Sequence, residues 1–110
     1  REASYPCYGM AETTLFVTGG LKTSLPVICS VDGTALEKNS VIVTNSKYQD
    51  TRKIVSCGQT CLDQKIKIVN PESLISCCPN QVGEIWVSGK NVAVGYWNRE
   101  LETQQSFNAY

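Results

Sequence analysis

Gly83-Glu84-Ile85-Trp86-Val87-Ser88-Gly89 is the stretch of this 110-residue chain that decides its fold class. β-branched and aromatic residues fill a short segment closed by glycine at both ends, which reads as one strand. Ile85 and Val87 share a side of that strand and are expected to face inward. Upstream, Lys65-Ile66-Lys67-Ile68 alternates polar with apolar residues until Asn70-Pro71, a second strand with one wet face. Thr14-Leu15-Phe16-Val17, the run 25–31, Val41-Ile42-Val43-Thr44 and Ile54-Val55-Ser56-Cys57-Gly58 add further short strands. Asp32-Gly33 is a turn signal, and residues 35–39 suit a single helical turn. An amphipathic helix is expected over 101–107, with Asn98 as its N-cap and Glu100 and Glu102 favouring its start. Many short strands with glycine and proline punctuation predict a mainly β fold, a small antiparallel barrel or sandwich with short helices.

Composition narrows the function. Ten basic and ten acidic residues give a formal net charge of zero, so no electrostatic drive toward nucleic acid or an anionic membrane is expected. No run of about 18 apolar residues is present, so no membrane span is expected. The start Arg1-Glu2-Ala3 has neither an initiator Met nor the apolar core of a signal peptide, the mark of an excised segment. The chain contains no His, which excludes Ser-His and Cys-His nucleophilic pairs from its own residues. Six cysteines fall at Cys7, Cys29, Cys57-x3-Cys61 and Cys77-Cys78. That spacing fits a zinc site poorly, because adjacent cysteines point to opposite faces of an extended chain. They read as small reduced residues of a cytoplasmic protein.

Tyr8-Gly9-Met10-Ala11-Glu12-Thr13 carries the chemistry. Tyr8 offers a flat face for stacking on a purine. Gly9 permits a close backbone approach, and Glu12 supplies a hard oxygen for Mg²⁺. Taken alone, the same residues also describe a surface loop with a turn glycine and a solvated glutamate. The order of this stretch, then the 83–89 strand, then Val92-Ala93-Val94-Gly95-Tyr96-Trp97-Asn98-Arg99, is more specific. Together they resemble two core motifs of the adenylate-forming enzymes: acyl-CoA synthetases, peptide-synthetase adenylation domains and luciferases. Ala11 before Glu12, and Thr13 after it, resemble the fatty acyl-AMP ligase branch in particular.

The resemblance implies that residues 1–110 form the distorted β-barrel subdomain of an AMP-binding domain, cut from a larger α/β adenylating enzyme. It implies ATP and Mg²⁺ as cofactors, with Tyr8, Gly9, Ala11 and Thr13 at the nucleotide and Glu12 at the metal. Most of the superfamily has Thr where Ala11 stands, so Thr13 or a backbone N–H is expected to make the phosphate contact. Residues 18–53 match an insertion of the ligase branch that restrains a mobile C-terminal domain. Leu25, Val27, Ile42 and Val43 are apolar enough to make that contact. The parent enzyme is then expected to activate a fatty acid and hand it to an acyl carrier protein, with its remaining domains as further partners. The Ser/Thr/Gly-rich phosphate loop, the Thr-Gly-Asp element and the C-terminal Lys of the family are not among these residues, so the segment alone is expected to be inactive. Two alternatives stay open at the level of sequence: a segment of an acyl-CoA synthetase, and a non-catalytic interaction module.

Overall fold

The computed structural model describes residues 3–45, 50–60 and 63–108. The chain runs β1 (Cys7–Met10), a 3₁₀ turn (Ala11–Thr13), β2 (Leu15–Gly19), β3 (Ile28–Asp32), α1 (Gly33–Glu37), β4 (Thr51–Val55) and β5 (Gln59–Thr60). It closes with β6 (Lys65–Val69), β7 (Glu84–Ser88) and α2 (Glu100–Phe107). The mainly β expectation holds, and both glycine-bounded and alternating stretches become strands. β6 and β7 pair antiparallel with Lys67 opposite Trp86 and Ile68 opposite Ile85.

The described residues form no closed barrel. Among the described residues the strands form three separate antiparallel sheets, β1-β2-β5, β3-β4 and β6-β7. The physical reason is a shortage of pairing between them. The expected strand at Val41-Ile42-Val43-Thr44 makes only an isolated bridge, Val31 to Val43, with main-chain bonds Asp32 N to Ile42 O and Thr44 N to Ser30 O, each 2.9 Å. The unit β3-α1-β4 meets the β6–β7 connection through an equally short contact at residues 39–41. There Val41 N–H donates to the Asn80 carbonyl at 2.7 Å and Val82 N–H to the Asn39 carbonyl at 2.9 Å.

Each sheet contributes one fully buried apolar side chain: Val17 in β2, Val31 in β3 and Val69 in β6. Large side chains such as Leu21, Val94 and Trp97 stay exposed, Trp97 to 90%. Ile85 is likewise exposed, against the inward expectation, in a β6–β7 ribbon that pairs with no further strand among the described residues. The radius of gyration, 16.3 Å, exceeds the roughly 13 Å of a compact domain of this length. Apolar surface on this scale marks faces that other parts of a protein cover.

Local chemistry explains the element ends. Asp32 is the N-cap of α1, its carboxylate accepting the Ala35 N–H at 2.7 Å. Asn39, in the left-handed region at φ 56°, follows the helix end. α2 begins at Glu100, one residue before the expected start, and its cap lies one residue after the expected Asn98. Arg99 is its N-cap, and Asn98 sits at φ 54°, a conformation that turns the chain into the helix and from which it does not cap. Asn70 accepts the N–H groups of Glu72 and Ser73 at 2.9 and 3.0 Å, which bends the chain away from β6.

The segment between β2 and β5 leaves and re-enters at one place. Thr18 pairs with Thr60 and Gly19 with Gln59, and the Thr18 hydroxyl donates to the Cys57 carbonyl at 2.8 Å. Gly58 adopts φ +85°, and a Cβ there would lie 2.1 Å from the Gly19 carbonyl carbon. Only glycine permits that crossing. Residues 46–49 of the 18–53 segment, and Cys61, lie outside the described residues.

Candidate functional site

Glu12 sits in the 3₁₀ turn that joins β1 to β2, at one edge of an open groove of about 790 Å³. The groove runs between that turn, the β6–β7 ribbon and the end of α2, and Lys65, Lys67, Trp86, Tyr96 and Phe107 line it. Register explains part of the ribbon's share, and Ile85 and Val87 of its other face also line the groove. Lys65, Lys67, Trp86 and Ser88 are cross-strand partners on one face, since Lys65 pairs with Ser88 and Lys67 with Trp86.

The turn is tightly held. Thr14 and Leu15 follow it at φ 57° and 78°, both left-handed, which is costly for residues with a side chain and most of all for β-branched Thr14. Polar bonds from far along the chain hold them there. The Asn91 amide donates to the Thr13 carbonyl at 2.6 Å, and the Thr14 hydroxyl donates to the Asn91 carbonyl at 2.8 Å. Ala93 N–H donates to the Glu12 carbonyl at 2.8 Å. Ala93 belongs to the second sequence motif and Asn91 lies between its two stretches, so that region is the scaffold of the first motif.

The Tyr96 hydroxyl donates to the Glu12 carboxylate. That bond, helped by Glu12's own backbone N–H, holds the carboxyl below its ordinary value, and the same bond raises the Tyr96 phenol above its own. At neutral pH the pair is therefore an ionised acceptor and a protonated donor. Among the described residues no Lys or Arg forms an ion pair with Glu12. Nor do three side chains of His, Cys, Asp or Glu converge anywhere among them. A half-buried carboxylate kept charged without a protein cation fits Mg²⁺, which is often bound by one or two carboxylates and completed by phosphate oxygens.

Of the five residues singled out in the sequence, Glu12 and Thr13 line the groove, and Tyr8, Gly9 and Ala11 do not. Tyr8 is half-buried in β1 opposite Thr18. Gly9 has an internal duty: a Cβ there would fall 1.8 Å from the Leu15 carbonyl oxygen, so β1 and β2 pair only with glycine at that place. Ala11 is exposed. Thr13 is 2% exposed and its hydroxyl donates to the Met10 carbonyl at 3.0 Å, which engages its proton within the turn. Sequence reading missed Asn91 and the partnership of Tyr96 with Glu12. Tyr96 lies within the second motif and Asn91 just before its second stretch, but nothing in a linear sequence joins positions 84 residues apart.

The sequence profile described as AMP-binding enzyme matches residues 2–97. The chain belongs to that family. The relatives it resembles include fatty acyl-AMP ligases and fatty-acid–[acyl-carrier-protein] ligases. It is 45% identical over 111 residues to a medium-chain-fatty-acid–[acyl-carrier-protein] ligase of Moorena producens, covering 99% of this chain and 19% of that relative. It is 34% identical to a long-chain-fatty-acid–AMP ligase of Mycobacterium marinum, covering 93% of this chain and 16% of that protein. Among solved structures it is similar to the fatty acyl-adenylate ligase of L. pneumophila in complex with acyl adenylate and pyrophosphate. The TM-score there is 0.84 at 42% identity, over 94% of this chain and 18% of that one. The chain thus spans about a fifth of the length of these AMP-binding relatives.

Proposed function

We propose that this chain contributes the β subdomain and the metal-binding edge of an ATP-dependent fatty acyl-AMP ligase. In the full-length enzyme a fatty-acid carboxylate attacks the α-phosphorus of ATP, the α–β anhydride bond breaks, and pyrophosphate leaves. The acyl group then passes from AMP to the thiol of an acyl carrier protein. The observation that carries this reading is Glu12, held ionised by Tyr96 at the rim of a groove, in a chain that superposes on a ligase solved with acyl adenylate and pyrophosphate. Mg²⁺ bound by Glu12 would neutralise phosphate charge there. Tyr8, Gly9, Ala11 and Thr13 complete the nucleotide-facing set in this reading, with Gly9 and Thr13 shaping the turn that presents Glu12. No described helix is long and apolar enough to cross a membrane.

Residues 18–53 are, in the same reading, the insertion that hinders thioester formation with CoA by resisting rotation of the C-terminal domain. The joined base at Thr18, Gly58 and Thr60 supports it, since an excursion with adjacent ends is added without parting β2 from β5. Exposed Leu25, Val27, Ile42 and Val43 supply its apolar contact surface.

Incubating the full-length enzyme with ATP, Mg²⁺ and a labelled medium-chain fatty acid, with and without CoA or an acyl carrier protein, tests the function. Acyl-AMP that persists in CoA and disappears into acyl carrier protein is the expected product pattern. Conversion to acyl-CoA would move the enzyme to the synthetases, and an absence of adenylate would refute the proposal.

A further inference from the structure

Tyr96 is held from three sides. Its N–H donates to the Thr103 hydroxyl oxygen at 2.9 Å, and its ring meets Phe107 edge to face with centroids 5.2 Å apart. Its hydroxyl reaches Glu12. Thr103 and Phe107 both belong to α2, so the helix fixes where the phenol points. Glu12 is fixed from its own side by the Ala93 N–H on its carbonyl. The Tyr96 ring and the Glu12 backbone are therefore already placed, and the bond between them orders the Glu12 carboxylate. A carboxylate has about four lone-pair positions, and a phenol donor occupies one, leaving capacity for a cation on the groove side.

We propose that Tyr96 is a positioning residue for Glu12: its hydroxyl locks the carboxylate in the rotamer that faces the groove and thereby sets its affinity for a divalent cation. The inference rests on the reading of Glu12 as a metal ligand. Ligating carboxylates are commonly held by an outer hydrogen bond, and loss of such a partner weakens metal binding by about 10- to 100-fold. A Tyr96 that only packs on α2 would be replaced without loss by Phe, which keeps the ring and its contact with Phe107 and removes the donor.

The experiment uses the full-length enzyme and the variants Tyr96→Phe, Glu12→Ala and the double variant. Mn²⁺ binding is measured by electron paramagnetic resonance with a non-hydrolysable ATP analogue, beside the Mg²⁺ dependence of acyl-adenylate formation. In Tyr96→Phe both half-saturation points rise by about tenfold or more. The maximal rate returns at saturating Mg²⁺, and the KM for fatty acid is unchanged. In the Glu12→Ala background the second substitution adds no further loss, because Tyr96 acts through Glu12. Unaltered Mn²⁺ affinity in Tyr96→Phe overturns the proposal, and so does an additive loss in the double variant. A loss in Glu12→Ala with none in Tyr96→Phe removes the positioning role and leaves the metal ligand standing. No loss in Glu12→Ala removes both.

Discussion

The Glu12 turn and the β3-α1-β4 excursion are each a small piece of chain between two strands, yet they are held in opposite ways. The turn is gripped by bonds from residues 77 to 84 positions away, the Thr14, Asn91 and Tyr96 contacts. Those bonds hold two left-handed residues that would otherwise relax. The excursion is held mostly by its own strand pair, by the Asp32 cap and by the crossing at Gly58, and it leaves Leu25, Val27 and Ile42 exposed. A site that must present one carboxylate needs long-range restraint. In the proposed reading the excursion meets another domain, for which a closed base and an apolar face suffice.

Removing the excursion challenges that contrast most strongly. A full-length enzyme in which a short Gly-Ser turn replaces residues 21–56 should still make acyl-adenylate, because β2 and β5 remain paired. With CoA present it should now also make acyl-CoA. A variant that yields adenylate and no thioester would leave the excursion a passive loop. A smaller effect is expected at the turn. Asn91→Ala strands the nearly buried Thr13 carbonyl, a loss of about 1–3 kcal/mol. Amide hydrogen exchange across residues 12–16 should accelerate about tenfold or more while β3 and β4 stay protected. Equal acceleration in both regions would erase the distinction between them. The smallest effect belongs to the excursion's own cap. Asp32→Ala should cost α1 about 1 kcal/mol, read as faster exchange at Ala35 with the Glu12 turn unmoved. A disturbance that spread to Thr14 would show the two regions to be mechanically coupled.

What could be read in the sequence was whatever depends on near neighbours. Glycine-bounded β-branched runs gave β2 and β7, alternation gave β6, and Asp32-Gly33 marked the place where β3 ends and α1 begins. The order of two motifs assigned the family, and Glu12 was identified as the chemically capable residue. The cap of α2 was placed one residue early, at Asn98 instead of Arg99, since Asn98 prefers both capping and left-handed backbone, and local sequence does not choose between them.

Residue types and short-range periodicity by themselves determined that this protein is mainly β, and the resemblance of two motifs pointed to the adenylate-forming enzymes and to Glu12. Only the tertiary structure decided that the sheets stay separate, that Asn91 and Tyr96 hold the Glu12 turn, and that β2 and β5 close beneath the excursion. The physical reason is separation along the chain. Propensity and pattern act over a few residues. A hydrogen bond between positions 12 and 96 depends on the path of everything between them, and no local signal records that path.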